Sequence, residues 1–302
     1  MRVAVRHTTR LDYTAAVVEG IMDARLGPLS DADQRWESFD LRVNPSAAVR
    51  PYTDGFDNAA HLITISRAHQ SIELVAESRV ETLLDDPFVP SATPPRPLRP
   101  AELADYLAPS TMVPREPELE AMAAPYRPAD SAAAFEAVRQ LMDLIYSGFR
   151  YQRYVTTVAT TVAEVLRERA GVCQDFAHVL LGLCRSIDIP ARYVSGYIVH
   201  QGQSQHQSSS SQAQFQSQSQ SQSSGVSHGP SAEAGASHAW IEAYTPTHGW
   251  RGFDPTNNLV ASQEHIKIAI GRDYGDVPPT RGTFRGVAEE RLSVDVVTRV
   301  LE

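Results

Sequence analysis

Cysteine is nearly absent from this sequence. The 302 residues include only Cys173 and Cys184, eleven positions apart in one predicted helix. At a rise of 1.5 Å per residue they are about 16 Å apart, too far for a disulfide. A chain without disulfides is typical of a reducing compartment, so we expect a cytoplasmic protein with free thiols. Because Cys184 lies within a run of leucines, we interpret it as a buried small hydrophobe.

Lysine and basic clusters are also scarce. Lys267 is the only lysine, the other basic residues are arginines, and the formal net charge is −9. Because an acidic chain without a Lys/Arg-rich block does not attract a phosphate backbone, we predict no nucleic-acid partner. The chain also offers almost no amine of its own.

Long apolar runs are missing as well. There is no stretch of about eighteen apolar residues, and the first seven residues lack the apolar region of a signal peptide. We therefore expect no membrane partner, and no leader sequence. With 42% hydrophobic and 21% charged residues, the composition is that of a soluble globular protein with room for two domains.

Three segments of different character follow one another along the chain. Residues 1–85 contain short alternating runs separated by turn-forming residues, which predict a β-sandwich. Residues 86–100 are rich in proline and predict a stiff linker. Residues 101–302 change from helical periodicity to strands, the α+β order expected for a catalytic domain in which a helix packs on an antiparallel sheet.

A Ser/Gln-rich tract, residues 201–236, interrupts the catalytic domain. Its only bulky apolar residues are Phe215 and Val226. Such a segment buries too little surface to offset the entropy of ordering it, so we predict a disordered insert.

Three residues are candidates for nucleophilic catalysis. Cys173 follows Gly171 and begins an apolar helix, where free N–H groups and the helix dipole favour a thiolate. His238 opens a predicted strand, and Asp254 ends the next one before a proline. Nucleophile, base and orienting acid thus occur in the order Cys173, His238, Asp254. Each residue taken alone could instead have a structural role: Cys173 as a core residue, His238 as an edge-strand residue and Asp254 as the start of a turn.

Two nearby polar residues are better explained by structure. Asp175 falls in the first helical turn, where a carboxylate caps backbone N–H groups. His178 is five residues beyond Cys173, about 140° around the helix, and cannot readily be its base. The other histidines considered, at positions 200, 206, 228 and 248, lack metal-ligand spacing, so we predict neither a catalytic metal nor a cofactor.

These segments resemble the bacterial transglutaminase-like proteins, a family related in fold to papain-type thiol proteases. The resemblance is carried by Gly171–Ala177, Ile189–Tyr197, His238–Trp240 and Gly249–Thr256. It implies a papain-like core, a β-rich N-terminal domain, and a Cys-His-Asp triad of Cys173, His238 and Asp254. In animal transglutaminases a tryptophan upstream of the cysteine binds the oxyanion. Here Tyr151 or Gln152 occupies the corresponding stretch.

The predicted function is thiol acyl transfer on a glutaminyl or peptide amide, with a protein or peptide as substrate. An amine acceptor gives transglutamination, and water gives deamidation or proteolysis. The alternatives are a cysteine protease or amidase and, from a different class, a binding scaffold with an inactive triad. The sequence does not predict an oligomeric state.

Overall fold

The computed structural model describes residues 1–153, 155–157, 160–199, 207–208, 225–227 and 237–301. Helices and antiparallel sheets are both present, which confirms the predicted α+β class. The chain divides into two compact units. Unit 1 contains Met1–Thr82, the described residues of Val199–Ser237, and Pro278–Glu302, and unit 2 contains Leu83–Ile198 and His238–Val277.

The described strands, in chain order, are β1 (Arg2–Val17), β2 (Glu19–Ala24), β3 (Gln34–Asn44), β4 (Ala48–Thr53), β5 (Ala59–Ile65), β6 (His69–Thr82), β7 (Arg150–Tyr151), β8 (Ala170–Gly171), β9 (Ala191–Ile198), β10 (Gln207–Ser208), β11 (Gly225–Ser227), β12 (His238–Thr245), β13 (Gly249–Asp254), β14 (Leu259–Val260), β15 (His265–Gly271), β16 (Thr280–Arg285) and β17 (Glu290–Leu301). The described α-helices are α1 (Pro100–Leu107), α2 (Pro117–Ala123), α3 (Ala134–Gly148), α4 (Val162–Glu168) and α5 (Cys173–Ser186).

Unit 1 is a sandwich of two antiparallel five-stranded sheets, as predicted for the N-terminal region. Their strand orders are β10-β17-β1-β6-β3 and β11-β16-β2-β5-β4. Strand β1 buries every second residue from Val3 to Tyr13, the period expected when one face of a strand is covered. Leu11 and Leu74 from one sheet and Ile63 from the other contribute to a common core.

The C-terminal boundary predicted for the catalytic domain is wrong. Residues 101–302 do not form one domain, because β16 pairs with β2 and β17 pairs with β1 along twelve residue positions. The chain therefore returns at Pro278 to complete the N-terminal sandwich. The pairing joins residues almost 300 positions apart, and most of β17 is only half-buried, so no local periodicity indicated its partner.

The proline-rich segment is not a free linker. It begins near the boundary at Thr82 but belongs to unit 2. The backbone N–H of Ser91 donates to the carbonyl of Thr247 at 3.0 Å, and the Tyr244 hydroxyl donates to the carbonyl of Arg96 at 2.7 Å. Proline favours an extended chain, and here the extended chain lies against the rest of unit 2.

Unit 2 is built around α5. This helix is buried along almost its whole length, with Phe176, Leu180 and Leu183 in the core. The antiparallel sheet β14-β13-β12-β9-β15 supplies the buried side chains of Ile241 and Phe253 to the same core. The helix that begins with the predicted nucleophile thus packs against the sheet that contains the predicted base and acid, the arrangement expected from the sequence.

Most of the Ser/Gln-rich tract, residues 201–236, lies outside the described residues, so its disorder stays a prediction. Only β10 and β11 are described there. Within the described part of the chain, no helix is long and apolar enough to span a membrane.

Candidate active site

The start of α5 is fixed by a buried carboxylate. Asp175 Oδ2 accepts hydrogen bonds from the Val172 N–H at 2.8 Å and the Thr156 hydroxyl at 2.7 Å. A Cβ atom at Gly171 would lie 2.7 Å from the same oxygen, so the close approach requires glycine. Burial raises the pKa of Asp175, against these two hydrogen bonds. Asp175 therefore has the structural role predicted for it, and Cys173 is the first residue of the helix.

A short parallel ladder places Tyr151 beside the cysteine. Strand β7 pairs with β8, and the Gln152 N–H donates to the carbonyl of Gly171 at 2.9 Å. Burial raises the pKa of Tyr151, and the negative charge of a Cys173 thiolate raises it further. A groove of about 500 Å³ borders the ladder, with Gln152 and Thr156 in its wall. Of the two oxyanion candidates, Tyr151 lies within electrostatic range of Cys173, and Gln152 lines the groove.

His238 bridges the thiol and the buried acid. Its Nε2 donates to Asp254 Oδ2 at 2.8 Å, which leaves Nδ1 for the thiol of Cys173. Burial opposes a charge on the imidazole, but hydrogen bonds to Asp254 and Cys173 and the attraction of their negative charges outweigh it. Together they raise the pKa of His238 to about 10. The site thus favours a charged imidazole beside the buried acid.

Asp254 is completely buried, and donors surround its carboxylate. Oδ1 accepts the backbone N–H groups of Thr256 at 3.0 Å and Asn257 at 3.3 Å. Oδ2 accepts His238 and the Asn257 side-chain amide, the latter at 2.7 Å. Burial favours the neutral acid, but His238, His265 and Asn257 hold the pKa of Asp254 well below its usual range. The acid is therefore an anion with a fixed orientation.

Trp240 packs against the rings at the base of the site. It is fully buried, and its ring stacks on His238 at 6.0 Å between centroids. Two glycines make room for it, because a Cβ atom at Gly196 would lie 2.5 Å from the indole and one at Gly252 would lie 3.1 Å from its Nε1. The position of the imidazole therefore depends on the packing of this indole.

The structure brings together Cys173, His238 and Asp254, the three predicted catalytic residues. His178 faces elsewhere, since its Nε2 accepts the backbone N–H of Tyr274 at 3.2 Å. Cys184 is fully buried, and burial raises its pKa to about 12. Both residues have the structural roles that the sequence suggested.

Sequence reasoning missed two partners of the acid, Asn257 and His265. Asn257 lies close in sequence to Asp254, which opens an Asx turn by accepting the backbone N–H of Thr256 two residues on, and the turn keeps the next residue near the carboxylate. His265 is brought to Asp254 by the sheet, without a local signal. Among the described residues, no group of three or more His, Cys, Asp or Glu side chains could hold a metal ion.

Two family models match the sequence. One, described as the transglutaminase-like superfamily, matches residues 120–255. The other, described as the bacterial transglutaminase-like N-terminal region, matches residues 3–81. The second match falls in unit 1. The first includes Cys173, His238 and Asp254 and falls in unit 2 apart from residues 199–237.

Mycobacterial proteins are similar over nearly the whole chain. An uncharacterized protein of Mycobacterium tuberculosis is 30% identical, over 98% of this chain and 92% of its own length. One of Mycobacterium leprae is 29% identical over 99% of both chains. A crystal structure of a proposed cysteine protease from Cytophaga hutchinsonii superposes with a TM-score of 0.70 at 20% identity, covering 100% of this chain and 92% of that chain. At this identity the last comparison supports the fold.

Proposed function

Because this chain belongs to the transglutaminase-like superfamily, we propose that it is a thiol acyl-transfer enzyme acting on glutaminyl or peptide amides. The observation that supports this most strongly is the continuous contact from Cys173 through His238 to the buried Asp254. A buried anion that orients an imidazole beside a helix-terminal thiol is the arrangement needed to generate a nucleophile.

The first half of the reaction forms a thioester. The Cys173 thiolate attacks the amide carbonyl, and negative charge develops on the carbonyl oxygen. The N–H of Cys173 is available to that oxygen, because the first N–H groups of a helix have no intrahelical partner. We propose the Tyr151 hydroxyl as the second donor. The His238 imidazolium then protonates the leaving nitrogen, the C–N bond breaks, and ammonia or an amine departs.

The second half transfers the acyl group to an acceptor. Neutral His238 takes a proton from the incoming water or amine, which attacks the thioester carbonyl. Collapse of the tetrahedral intermediate expels the Cys173 thiolate and leaves the imidazolium in place. Throughout, Asp254 stabilises the charge on the ring and keeps Nδ1 directed at the sulfur.

We propose water as the main acceptor. Transfer to an amine needs a path that keeps water from the thioester, and the groove beside β7 and β8 is lined by solvent-exposed side chains such as Arg150 and Gln152. The protein's only lysine is also a poor acceptor in cis. The Nζ of Lys267 contacts Glu242 Oε1 at 2.8 Å, and both side chains are buried.

The test is mass spectrometry of a glutamine-containing peptide library incubated with the protein, with and without a fluorescent primary amine. Hydrolysis converts glutamine to glutamate or cleaves a peptide bond, whereas amine transfer adds the mass of the amine. The matched control is Cys173→Ser. If neither arm gives a product that depends on Cys173, the proposal is contradicted and a binding scaffold is favoured.

We further propose that the protein acts in the cytoplasm on protein or peptide substrates.

A further inference from the structure

A second histidine contacts the carboxylate of Asp254. His265 is the first residue of β15, its side chain is 4% exposed, and its Nε2 lies 3.5 Å from Asp254 Oδ2. The same oxygen receives Nε2 of His238 at 2.8 Å. Two imidazoles therefore converge on one oxygen atom of the acid, one at close and one at longer hydrogen-bond distance.

Burial determines which tautomer of His265 suits this position. Its Nδ1 is buried and has no hydrogen-bond partner among the described residues. A proton on Nδ1 would leave a buried N–H unsatisfied and would direct the lone pair of Nε2 at a carboxylate. A proton on Nε2 avoids both costs and supplies a donor to the anion. The neutral ring should therefore carry its proton on Nε2.

The two histidine rings share a packing partner. Trp240 stacks on His238 at 6.0 Å and meets His265 edge-on at 5.2 Å, with a 77° angle between the planes. Since the indole is fully buried, neither ring can shift without disturbing it. The contact between His265 and Asp254 is thus held in place by packing as well as by polarity.

We propose that His265 is a positioning residue of the Cys173 site, donating Nε2–H to Asp254 and holding Oδ2 towards His238. The inference rests on the function proposed above. Oδ1 is anchored by backbone N–H groups. Oδ2 accepts the Asn257 side-chain amide at 2.7 Å, so Asn257 and His265 are the two groups besides His238 that fix this oxygen. If one donor is lost, the carboxylate of Asp254 is oriented less firmly towards His238. It then stabilises the charged imidazole less, and a smaller fraction of Cys173 is ionised.

Among the described residues, two titratable groups meet His265 or the oxygen that it contacts, and one lies two positions away on its own strand. Asp254 on β13 contacts it directly, and His238 on β12 contacts the same oxygen. Lys267, two residues along β15, pairs with Glu242. A change in the pH profile of Cys173 on substitution of His265 would therefore report the Asp254 contact.

The experiment compares alkylation of Cys173 by iodoacetamide in wild type, His265→Leu and His265→Gln between pH 5 and 10. A tenfold change in rate corresponds to about 1.4 kcal/mol, which is within the range of a single hydrogen bond. We expect His265→Leu to alkylate about tenfold more slowly at pH 6 and to converge with wild type at pH 10. His265→Gln should recover most of the rate, because its amide N–H can reach the position of Nε2.

His178→Leu is the matched control, since His178 is equally buried but bonds to Tyr274. It should lower the melting temperature and leave the pH profile of Cys173 unchanged. A wild-type profile in folded His265→Leu would overturn the inference alone. An ordinary thiol profile in wild type itself would overturn the proposed function and the inference with it. If His265→Leu does not fold, equal rates for His265→Gln and the shorter His265→Asn overturn the inference.

Discussion

Replacing Asp254 by asparagine tests the site most directly, because it preserves shape and removes charge. The backbone N–H groups of Thr256 and Asn257 point at Oδ1, so the amide oxygen of the new side chain should occupy that position. The NH₂ group must then replace Oδ2. It would face the Nε2 of His238, which lies 2.8 Å from Oδ2 in the wild type. The amide N–H and the Nε2–H are both donors, so they cannot form a hydrogen bond.

The imidazole can relieve this conflict only by moving its proton. Nε2 of His238 becomes an acceptor, and the proton moves to Nδ1, the nitrogen that must take the proton of Cys173. In the wild type the pKa of His238 is raised from 6.5 to about 10. This rise corresponds to about 5 kcal/mol favouring the charged ring, shared between Asp254 and Cys173. Losing the larger part of it, about 3 to 4 kcal/mol, should lower turnover by about 10² to 10³.

The direction of the pH effect follows from the raised pKa. The contribution of the His238 charge to stability is fully present below the unfolded pKa of about 6.5, and it is lost as pH rises through about 10. Wild-type Cys173 should therefore react with iodoacetamide at pH 6 nearly as fast as at pH 8. In Asp254→Asn the alkylation rate at pH 6 should fall. It should rise again only at the higher pH at which the thiol ionises without a charged imidazole beside it.

Mass spectrometry of the tryptic peptides at several pH values measures this directly. Cys184 is an internal control, because it is fully buried and becomes labelled only if the variant unfolds. Retention of wild-type reactivity at pH 6 in a folded Asp254→Asn protein would refute the orienting role of the acid.

Three further predictions concern other parts of the chain. In the folded protein at pH 7, Cys173 should alkylate more than about a thousandfold faster than Cys184, whose pKa is raised to about 12; comparable rates would contradict the assignment. Gly196→Ala should lower the unfolding free energy by about 3 kcal/mol, because its methyl group would lie 2.1 Å from a carbonyl oxygen. The control Gly148→Ala should leave the unfolding free energy nearly unchanged, because no atom lies within 4 Å of the added methyl group. Deleting residues 203–232 removes only the short edge strands β10 and β11 from the described sheets, so it should change the melting temperature by less than about 2 °C; a large drop would show that the tract packs.

The parts of the fold that the sequence predicted well depend on neighbouring residues. Helix α5 begins at Cys173 because Gly171 and Asp175, both within two positions, fix its first turn. His238 and Asp254 lie on β12 and β13, antiparallel strands joined by a short turn. Local signals of this kind can be read from one sequence.

Features that depend on distant pairing could not be predicted in the same way. The return of β16 and β17 to unit 1 joins the two ends of the chain. An edge or half-buried strand has a similar pattern whichever sheet it enters, and its partner is decided by which surface is left to cover. The error in the domain boundary at Pro278 has this cause.

The case of His265 shows how sheet register can complete a site. Strand β9 lies between β12 and β15, and it pairs His238 with Gly196 and His265 with Ile198. Positions 196 and 198 are two apart on one strand and share a face, so both histidines reach the same end of the sheet. A register shift of one residue in β15 would turn His265 to the opposite face, away from Asp254. The composition of β15 would be unchanged by that shift, so the contact depends on register and not on residue type alone.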